Sequence, residues 1–363
     1  SGILYVLEQA TGQGHTCLPM DQLMQEARRL LGVEIDSMND RIMDLIMDKK
    51  IVVKTKEDIQ MVYSSVSYYT ELMIAQMLKD LNIKDTITSD EIAAKIKTIE
   101  TEQDIALDER QRLAVSEAVN NGLTIITGGP GTGKTTTIRT IIRYFEKEGL
   151  DILLAAPTGR AAKRMKETTG CEAKTVHRLL ELSGMVGEGA TSFGRNEDNP
   201  LETDVIIIDE MSMVDLNLMH ALLSAVIPGT RLILVGDVDQ LPPVGPGNPL
   251  KAIIESEMAP VVRLNHIFRQ EEGSGIIENA VLIREVKYCC PDENGDFQIL
   301  YTDSEDDAFH KIMTLCWHFH YADEDNKLKM QVLSPMYKGA CGVDHLNASI
   351  QKVVQGSDHL PFP

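Results

Sequence analysis

Long apolar runs are absent from this chain of 363 residues. None approaches the roughly 18–20 residues that a membrane-spanning helix needs, so the sequence predicts no membrane partner. The opening residues, SGILYVLEQATG, lack the basic flank and small-residue cleavage site of a secretory leader. The six cysteines, at 17, 171, 289, 290, 316 and 341, show no CxxC spacing and no disulfide framework. Adjacent Cys289 and Cys290 are poorly placed to chelate one metal and read as structural. A reduced, cytoplasmic protein is the expectation. Aromatics are only 5% of residues, and neither internal repeats nor low-complexity tracts occur, which excludes a solenoid or array. Basic residues are also short: 35 Lys and Arg face 55 Asp and Glu, a net charge of −20. Such a surface on average repels phosphate. That does not exclude a nucleic-acid partner, because a groove needs only a local basic stripe or aimed backbone N–H groups. Segments such as DSEDD (303–307) and DED (323–325) hold part of the acidic excess.

The chain is long enough for two or three domains, each with its own core. In LPMDQLMQEARRLLG, Leu23, Ala27, Leu30 and Leu31 share one helical face and Gly32 is a stop. NDRIMDLIMDKKIVV gives a second helix, through Ile42, Leu45 and Ile46, that runs into a short strand with MVYSSV as its partner. Residues 1–66 are therefore expected to form a small winged-helix-like module, with a plain helical adaptor as the alternative. A helix near 67–81 and a polar stretch, 82–104, read as a linker region. From about 105 the texture changes. LTIIT (123–127), ILLAA (152–156), VIIID (205–209), LILVG (232–236) and VVRL (261–264) alternate with amphipathic helices. Short runs that are apolar on both faces are parallel strands buried between helical layers. The fold class is α/β, doubly wound, with a first domain at 105–265 and part of a second at 266–363. MQVLS (330–334) is expected to be a strand of a second sheet.

The stretch GGPGTGKT (128–135) fits G-x-x-x-x-G-K-[ST], follows the strand LTIIT and opens the helix KTTTIRTIIRYFEKEG. This is the context that a phosphate-binding P-loop requires. Its glycines let the backbone wrap an anion, and its N–H groups and the helix dipole point at it. Lys134 is placed to reach the β- and γ-phosphates and Thr135 to ligate Mg²⁺. The strand VIIIDE (205–210) ends in Asp209, a second Mg²⁺ carboxylate, and Glu210, a base for attacking water. Read alone, the same pair is an ordinary acidic helix start. In ILVGDVDQLPPVGPG (233–247) a buried strand breaks at Asp237, Gln240, Pro242 and Pro243. Beside a P-loop, Gln240 is a candidate γ-phosphate sensor, Asp237 supports Mg²⁺ or the loop, and the prolines stiffen the exit.

The ordered segments LDERQRLAV, GGPGTGKTT, APTGRAAKRM, KTVHRLL, IIIDEMSM, LVGDVDQLPPVGPGN and RLNHIFRQ resemble the successive motifs of superfamily-1 DNA helicases of the RecD-like branch. The likeness is greatest to the form with an extra N-terminal region. It spans about 107–270, with a further match at VLSPMYKGACGVDHLNASIQ (332–351). The resemblance implies a RecA-like ATPase domain and part of a second. It implies ATP and Mg²⁺ as cofactors, and single-stranded DNA and single/double-strand junctions as partners. It also implies 5′→3′ movement and a repair or recombination context, with other repair proteins as further partners. By the same resemblance Gln111 reads adenine, although Asp108 and Gln111 also have capping-box spacing. Gly129, Pro130, Gly131, Thr132, Gly133, Lys134, Thr135 and Thr136 hold the nucleotide. Thr158, Gly159, Arg160 and Lys163 grip the single strand, and His177 touches it. Arg269 reaches the γ-phosphate, and Pro335 and Lys338 hold DNA from the second domain. The family places a wedge hairpin at 182–204, where the composition by itself reads as a surface loop.

Two later motifs of the family, one gripping DNA and one supplying an arginine finger, have no match before DHLPFP. The expectation is a fragment with weak or absent ATP hydrolysis. The helicase part of a conjugative relaxase is a rival reading. It needs a nucleophilic Tyr and a His cluster upstream, and only His15 precedes His177. A non-translocating P-loop switch is the other rival.

Overall fold

The computed structural model describes residues 2–32, 35–183, 192–266, 274–292, 295–322 and 330–354. The chain divides into two compact units, 1–270 and 271–363.

The first unit opens with α1 (Gly2–Gly12), β1 (Cys17–Pro19), α2 (Met20–Leu31), α3 (Ile35–Met47), β2 (Ile51–Lys56) and β3 (Ile59–Ser64). The strands form an antiparallel sheet in the order β1-β3-β2. Glu57 and Asp58, at φ 51° and 65°, make the tight reversal between β2 and β3, where two left-handed residues match the strand twist. Ile3, Val6, Leu7, Leu18, Leu23, Ala27, Ile51 and Val62 close a core of their own.

The segment that reads as a linker is part of the main core. α4 (Ser65–Leu81) is capped by the Ser64 hydroxyl, and α5 (Ser89–Gln103) by that of Thr88. The stretch 82–104 looks polar because only Ile92, Ile96 and Ile99 of α5 are buried, one narrow stripe on a charged helix. Those three isoleucines pack with Ala114, Val115, Ile138 and Ile141 against the sheet.

The remaining elements of the unit are α6 (Glu109–Asn120), β4 (Leu123–Gly128), α7 (Lys134–Lys147), β5 (Ile152–Ala156), α8 (Gly159–Thr169), β6 (Ala173–Thr175), α9 (Val176–Leu179), β7 (Leu182–Ser183), β8 (Ser192–Phe193), β9 (Val205–Ile208), α10 (Leu216–Ser224), β10 (Arg231–Gly236), α11 (Pro249–Ser256) and β11 (Val261–Leu264). Six strands form one sheet in the order β11-β4-β10-β9-β5-β6, and every neighbouring pair is parallel. Alternate side chains go to opposite faces. Ile125, Ile206, Ile208, Leu232 and Leu234 meet α4, α10 and α11. Ile126, Val205, Ile207, Ile233 and Val235 meet α5, α6 and α7. A parallel sheet covered on both faces is the RecA-like arrangement that the resemblance implies. β7 and β8 form a two-residue antiparallel ribbon, Leu182 opposite Phe193. The middle of the expected wedge, 184–191, lies outside the described residues.

The second unit holds α12 (Gly275–Arg284), α13 (Glu305–Ala322) and α14 (Val343–Val354). Phe309 and Met313 of α13 pack on Leu346 and Val353 of α14. The strand expected at 330–334 does not form. Its residues alternate half-buried and exposed as a strand does, but no described segment pairs with them, and an unpaired strand is not stable alone.

Because α5 is core rather than tether, Ile96→Ala should lower unfolding free energy by about 2–5 kcal/mol, measured by urea denaturation. A loss below about 0.5 kcal/mol would mean that α5 is not packed as described.

Candidate functional site

The register of the sheet brings the distant motifs together. β10 lies between β4 and β9, with Gly236 opposite Thr127 and Leu234 opposite Ile208. The loops that follow these three strands therefore leave adjacent carboxyl ends, where open α/β sheets bind ligands. They are the loop 128–133, the pair Asp209–Glu210 and the loop 237–240.

The loop 128–133 is shaped by backbone constraints. Gly131 and Gly133 sit at φ 79° and 82°, open to glycine and strained for other residues. A Cβ on Gly128 would stand 2.7 Å from both the Leu264 carbonyl and the Thr132 hydroxyl. Thr132 Oγ1 donates to Gly129 O at 2.8 Å and locks the turn. Gly133 begins α7 with no side-chain cap, so the first N–H groups of the helix are left for an anion. Thr135 and Thr136 are half-buried on the first turn. Lys134 Nζ donates to the carbonyls of Gly128 (2.5 Å) and Gly129 (2.9 Å). Burial pulls its ammonium below the usual lysine range, and the carboxylates of Asp237, Asp209 and Glu210 draw it back up.

Gln111 meets this loop from α6. Its Oε1 accepts from Asp108 N–H (3.0 Å) while Asp108 Oδ1 accepts from Gln111 N–H (2.7 Å), which completes a capping box. Its Nε2 donates to Gly133 O at 3.3 Å. At 2% exposure, the side chain braces the P-loop through one proton and the helix start through one lone pair.

Burial pushes the Asp209 carboxyl above the usual carboxylate range, against the pull of the Glu210 N–H that donates to its Oδ1 at 2.9 Å. A half-buried carboxylate and a threonine hydroxyl at the ends of neighbouring elements are oxygen donors of the kind that suit Mg²⁺. Asp209 and Thr135 would hold it. Glu210 sits at φ 56°, ψ 40°, a left-handed conformation costing a non-glycine residue about 1 kcal/mol or more. It turns the chain sharply out of β9 into the 3₁₀ turn Met211–Met213.

Asp237, only 4% exposed, organises its loop. Its Oδ1 accepts from Asp239 N–H at 3.1 Å and its Oδ2 from Gln240 Nε2 at 3.3 Å. Val238 N–H donates to Thr127 Oγ1 at 3.2 Å and fixes the loop to β4. Gln240 is exposed, and its Oε1 accepts from the Ser212 hydroxyl at 3.5 Å. Ser212 and Thr127 thus connect three loops, and the sequence reading overlooked both. Their offsets, two residues past Glu210 and one before Gly128, were the available signal.

Beyond Glu210 opens a pocket of about 490 Å³, lined by Pro157, Thr158, His177, Phe193, Met213, Asp215, Asn217, Leu218 and Pro242–Gly245. Thr158 caps α8, its Oγ1 accepting from Ala161 N–H at 3.2 Å. Gly159, Arg160 and Lys163 are exposed on the first turns of α8. Lys163 meets Glu167 at 3.8 Å. The His177 ring lies 6.3 Å from that of Phe193. Arg269 falls outside the described residues. Pro335 and Lys338 belong to the second unit, exposed on a turn closed by the Ser334 hydroxyl, which donates to Cys341 O at 2.6 Å.

A family model described as AAA domain matches residues 111–246. The ATP-dependent RecD2 DNA helicase of Deinococcus radiodurans is 40% identical over 247 residues, 68% of this chain and 32% of that protein. The RecBCD enzyme subunit RecD of Mycolicibacterium smegmatis is 39% identical over 192 residues, 46% of this chain and 34% of that protein. Among solved structures, the Pif1 helicase from Candida albicans is 26% identical and covers 50% of this chain and 44% of its own, at a TM-score of 0.39. The chain thus spans about a third of the length of the first two relatives.

Gly128→Ala should lower affinity for a fluorescent Mg·ATP analogue at least about tenfold with the circular dichroism spectrum unchanged. Near-native binding would show that Leu264 and Thr132 can yield. The matched domain and the shared sequence agree with the geometry: residues 111–246 match the AAA domain model, and the chain is similar to the RecD2 and RecD helicases.

Proposed function

We propose that this chain is the nucleotide-hydrolysing core of an ATP-dependent DNA helicase that moves along single-stranded DNA, 5′→3′, in repair or recombination. The observation that carries the reading is the meeting of P-loop, carboxylate pair and Gln240 at three neighbouring strand ends, with a groove directly beyond them. The P-loop residues from Gly129 to Thr136 hold the triphosphate, and Lys134 moves from its carbonyl partners onto the phosphates. Gln111 fixes the loop from behind and offers its remaining amide proton and lone pair to adenine. Bound Mg²⁺, held by Thr135 and Asp209, supplies charge neutralisation at the phosphates. Glu210 orients the attacking water and accepts its proton. Gln240 senses the γ-phosphate, and its tie to Ser212 carries the signal toward the groove. Arg269 completes the charge around the phosphates.

In the groove the single strand runs past Thr158, Gly159, Arg160 and Lys163, with His177 and Phe193 as stacking surfaces. The ribbon that carries Phe193 serves as the wedge at a junction. Pro335 and Lys338, in the second unit, contact DNA. The N-terminal sheet and helices, in the order α1-β1-α2-α3-β2-β3, act as a winged-helix-like module.

Gln240→Ala, made in the complete protein, should leave nucleotide affinity within about twofold and sharply reduce the stimulation of ATP turnover by DNA. Collapse of nucleotide binding would make Gln240 structural instead. Phe193→Ala should weaken binding of a short single-stranded oligonucleotide by about 1–3 kcal/mol, read by fluorescence anisotropy. The affinity of the unaltered chain should fall steeply with salt. Salt-independent or absent DNA binding would favour a non-translocating ATP switch.

A further inference from the structure

The loop that begins at Gln240 has a fixed far end. It passes through Leu241, Pro242, Pro243 and Val244 to Gly245-Pro246-Gly247, where three contacts hold it. Leu216 N–H donates to Pro246 O at 2.8 Å. Gly245 lies against the Asp215 carboxylate so closely that a Cβ would overlap it. The third contact comes from the N-terminal module: Gly247 N–H donates to Gly14 O at 2.9 Å. Gly14 sits in the turn between α1 and β1 at φ 93°, and Gly247 at φ 79°. A Cβ on Gly247 would stand 3.2 Å from Thr16 Cγ2 and 3.3 Å from Leu216 Cβ. The turn of the module and the start of α10 therefore close on Gly247 together.

The module reaches the same helix by a second route. β3 runs directly into α4, whose Ile74, Leu78 and Leu81 share a cluster with Leu216, Met219, Leu222 and Leu223 of α10. A body fixed to α10 through α4 and to the loop through Gly14 is not a loosely tethered appendage. Between the two anchors, Pro242 and Pro243 restrict the backbone, while Leu241 and Val244 are 87% and 95% exposed and carry no packing of their own. Displacement at Gln240 is thus passed along a stiff segment to Gly247 rather than absorbed.

We infer that the N-terminal module is a regulatory element coupled to the nucleotide site through residues 240–247. Occupancy of the γ-phosphate position shifts the hold of Gly247 on the Gly14 turn, and by thermodynamic reciprocity a ligand bound to the module alters nucleotide binding. The inference rests on the reading of Gln240 as γ-phosphate sensor.

Hydrogen-exchange mass spectrometry on this chain tests it, comparing Mg·ADP with a non-hydrolysable Mg·ATP analogue. The expected result is an exchange difference of at least about fivefold in both peptide 241–250 and peptide 12–19, with none in residues 3–9. In Gly14→Ala, where a side chain is strained at that φ, the response of 241–250 should persist while that of 12–19 is lost. Thr16→Ala, a gentler change, should weaken the same response without disturbing the turn. If 241–250 responds in the unaltered chain and 12–19 does not, the coupling is wrong and the sensor reading stands. If neither responds, the sensor reading falls and takes the inference with it.

Discussion

The position of β10 between β4 and β9 is the constraint on which the rest of the molecule depends. Parallel strands in register end on the same edge, so three segments far apart in the chain need only leave their strands to meet. Gly236 opposite Thr127 and Leu234 opposite Ile208 set the offset between them to within a residue. A slip of one position would turn Leu232 and Leu234 away from α10 and Ile233 and Val235 away from α7. The hydrophobic pattern that fixes the core therefore also fixes the chemistry at its edge. That pattern requires cover on both faces, which is why α4 and α5, outside any recognised motif, are as necessary to the site as the P-loop.

The site is preorganised but electrically incomplete. Lys134 is half-buried and rests on two backbone carbonyls, a weaker arrangement for an ammonium than phosphate oxygens. Asp209 is half-buried, and the loss of water around it pushes its carboxyl above the usual carboxylate range. α7 starts without a cap, and Glu210 is held in a conformation that costs energy. Each feature alone would be a local fault in a stable fold. Together they describe a cavity edge that an anion and a divalent cation would jointly complete, since the anion satisfies Lys134 and the helix N-terminus while the cation restores charge to Asp209.

What the sequence revealed followed from how local each constraint is. The P-loop was legible because its glycines answer to backbone geometry within eight residues, GGPGTGKT, and the strand and helix that frame it are equally local. The five apolar strands were legible because burial on both faces leaves no polar alternation to confuse with a helix. α5 was read as a polar stretch because its buried side, Ile92, Ile96 and Ile99, is only as wide as the sheet demands. Residues 330–334 mislead in the opposite direction, since they have a strand's alternation but no neighbour to pair with among the described residues. Ser212 and Thr127 were legible only by their offsets from the motifs, for a further reason. A hydroxyl in an apolar run carries no periodic signal, and its importance arises from a partner in another loop. Gln111 was legible as a capping residue, and the capping box is formed. Its bond to Gly133 O was not legible, because a distance between α6 and α7 is set only by the packed sheet.

The acidic charge of the chain is the remaining apparent obstacle to a nucleic-acid partner, and local distribution decides it. α8 places Arg160, Lys163, Arg164 and Lys166 in eleven residues against one acid, Glu167. Lys163 and Lys166 face acidic neighbours, but Arg160 and Arg164 make no ion pair among the described residues. A surface contact that is worth little as an ion pair can still contribute counterion release when it meets a phosphate. The helix begins where β5 ends, and His177 follows β6 beside it, so a basic rail and an aromatic surface share one end of the sheet. β9 is the next strand, and the carboxylates follow its last residue. On the proposed reading, the strand that holds the catalytic base is thus hydrogen-bonded directly to the strand that presents the DNA-binding helix, Asp209 N–H donating to Ala155 O at 3.0 Å. On that reading, chemistry and grip are separated by one ladder of backbone bonds.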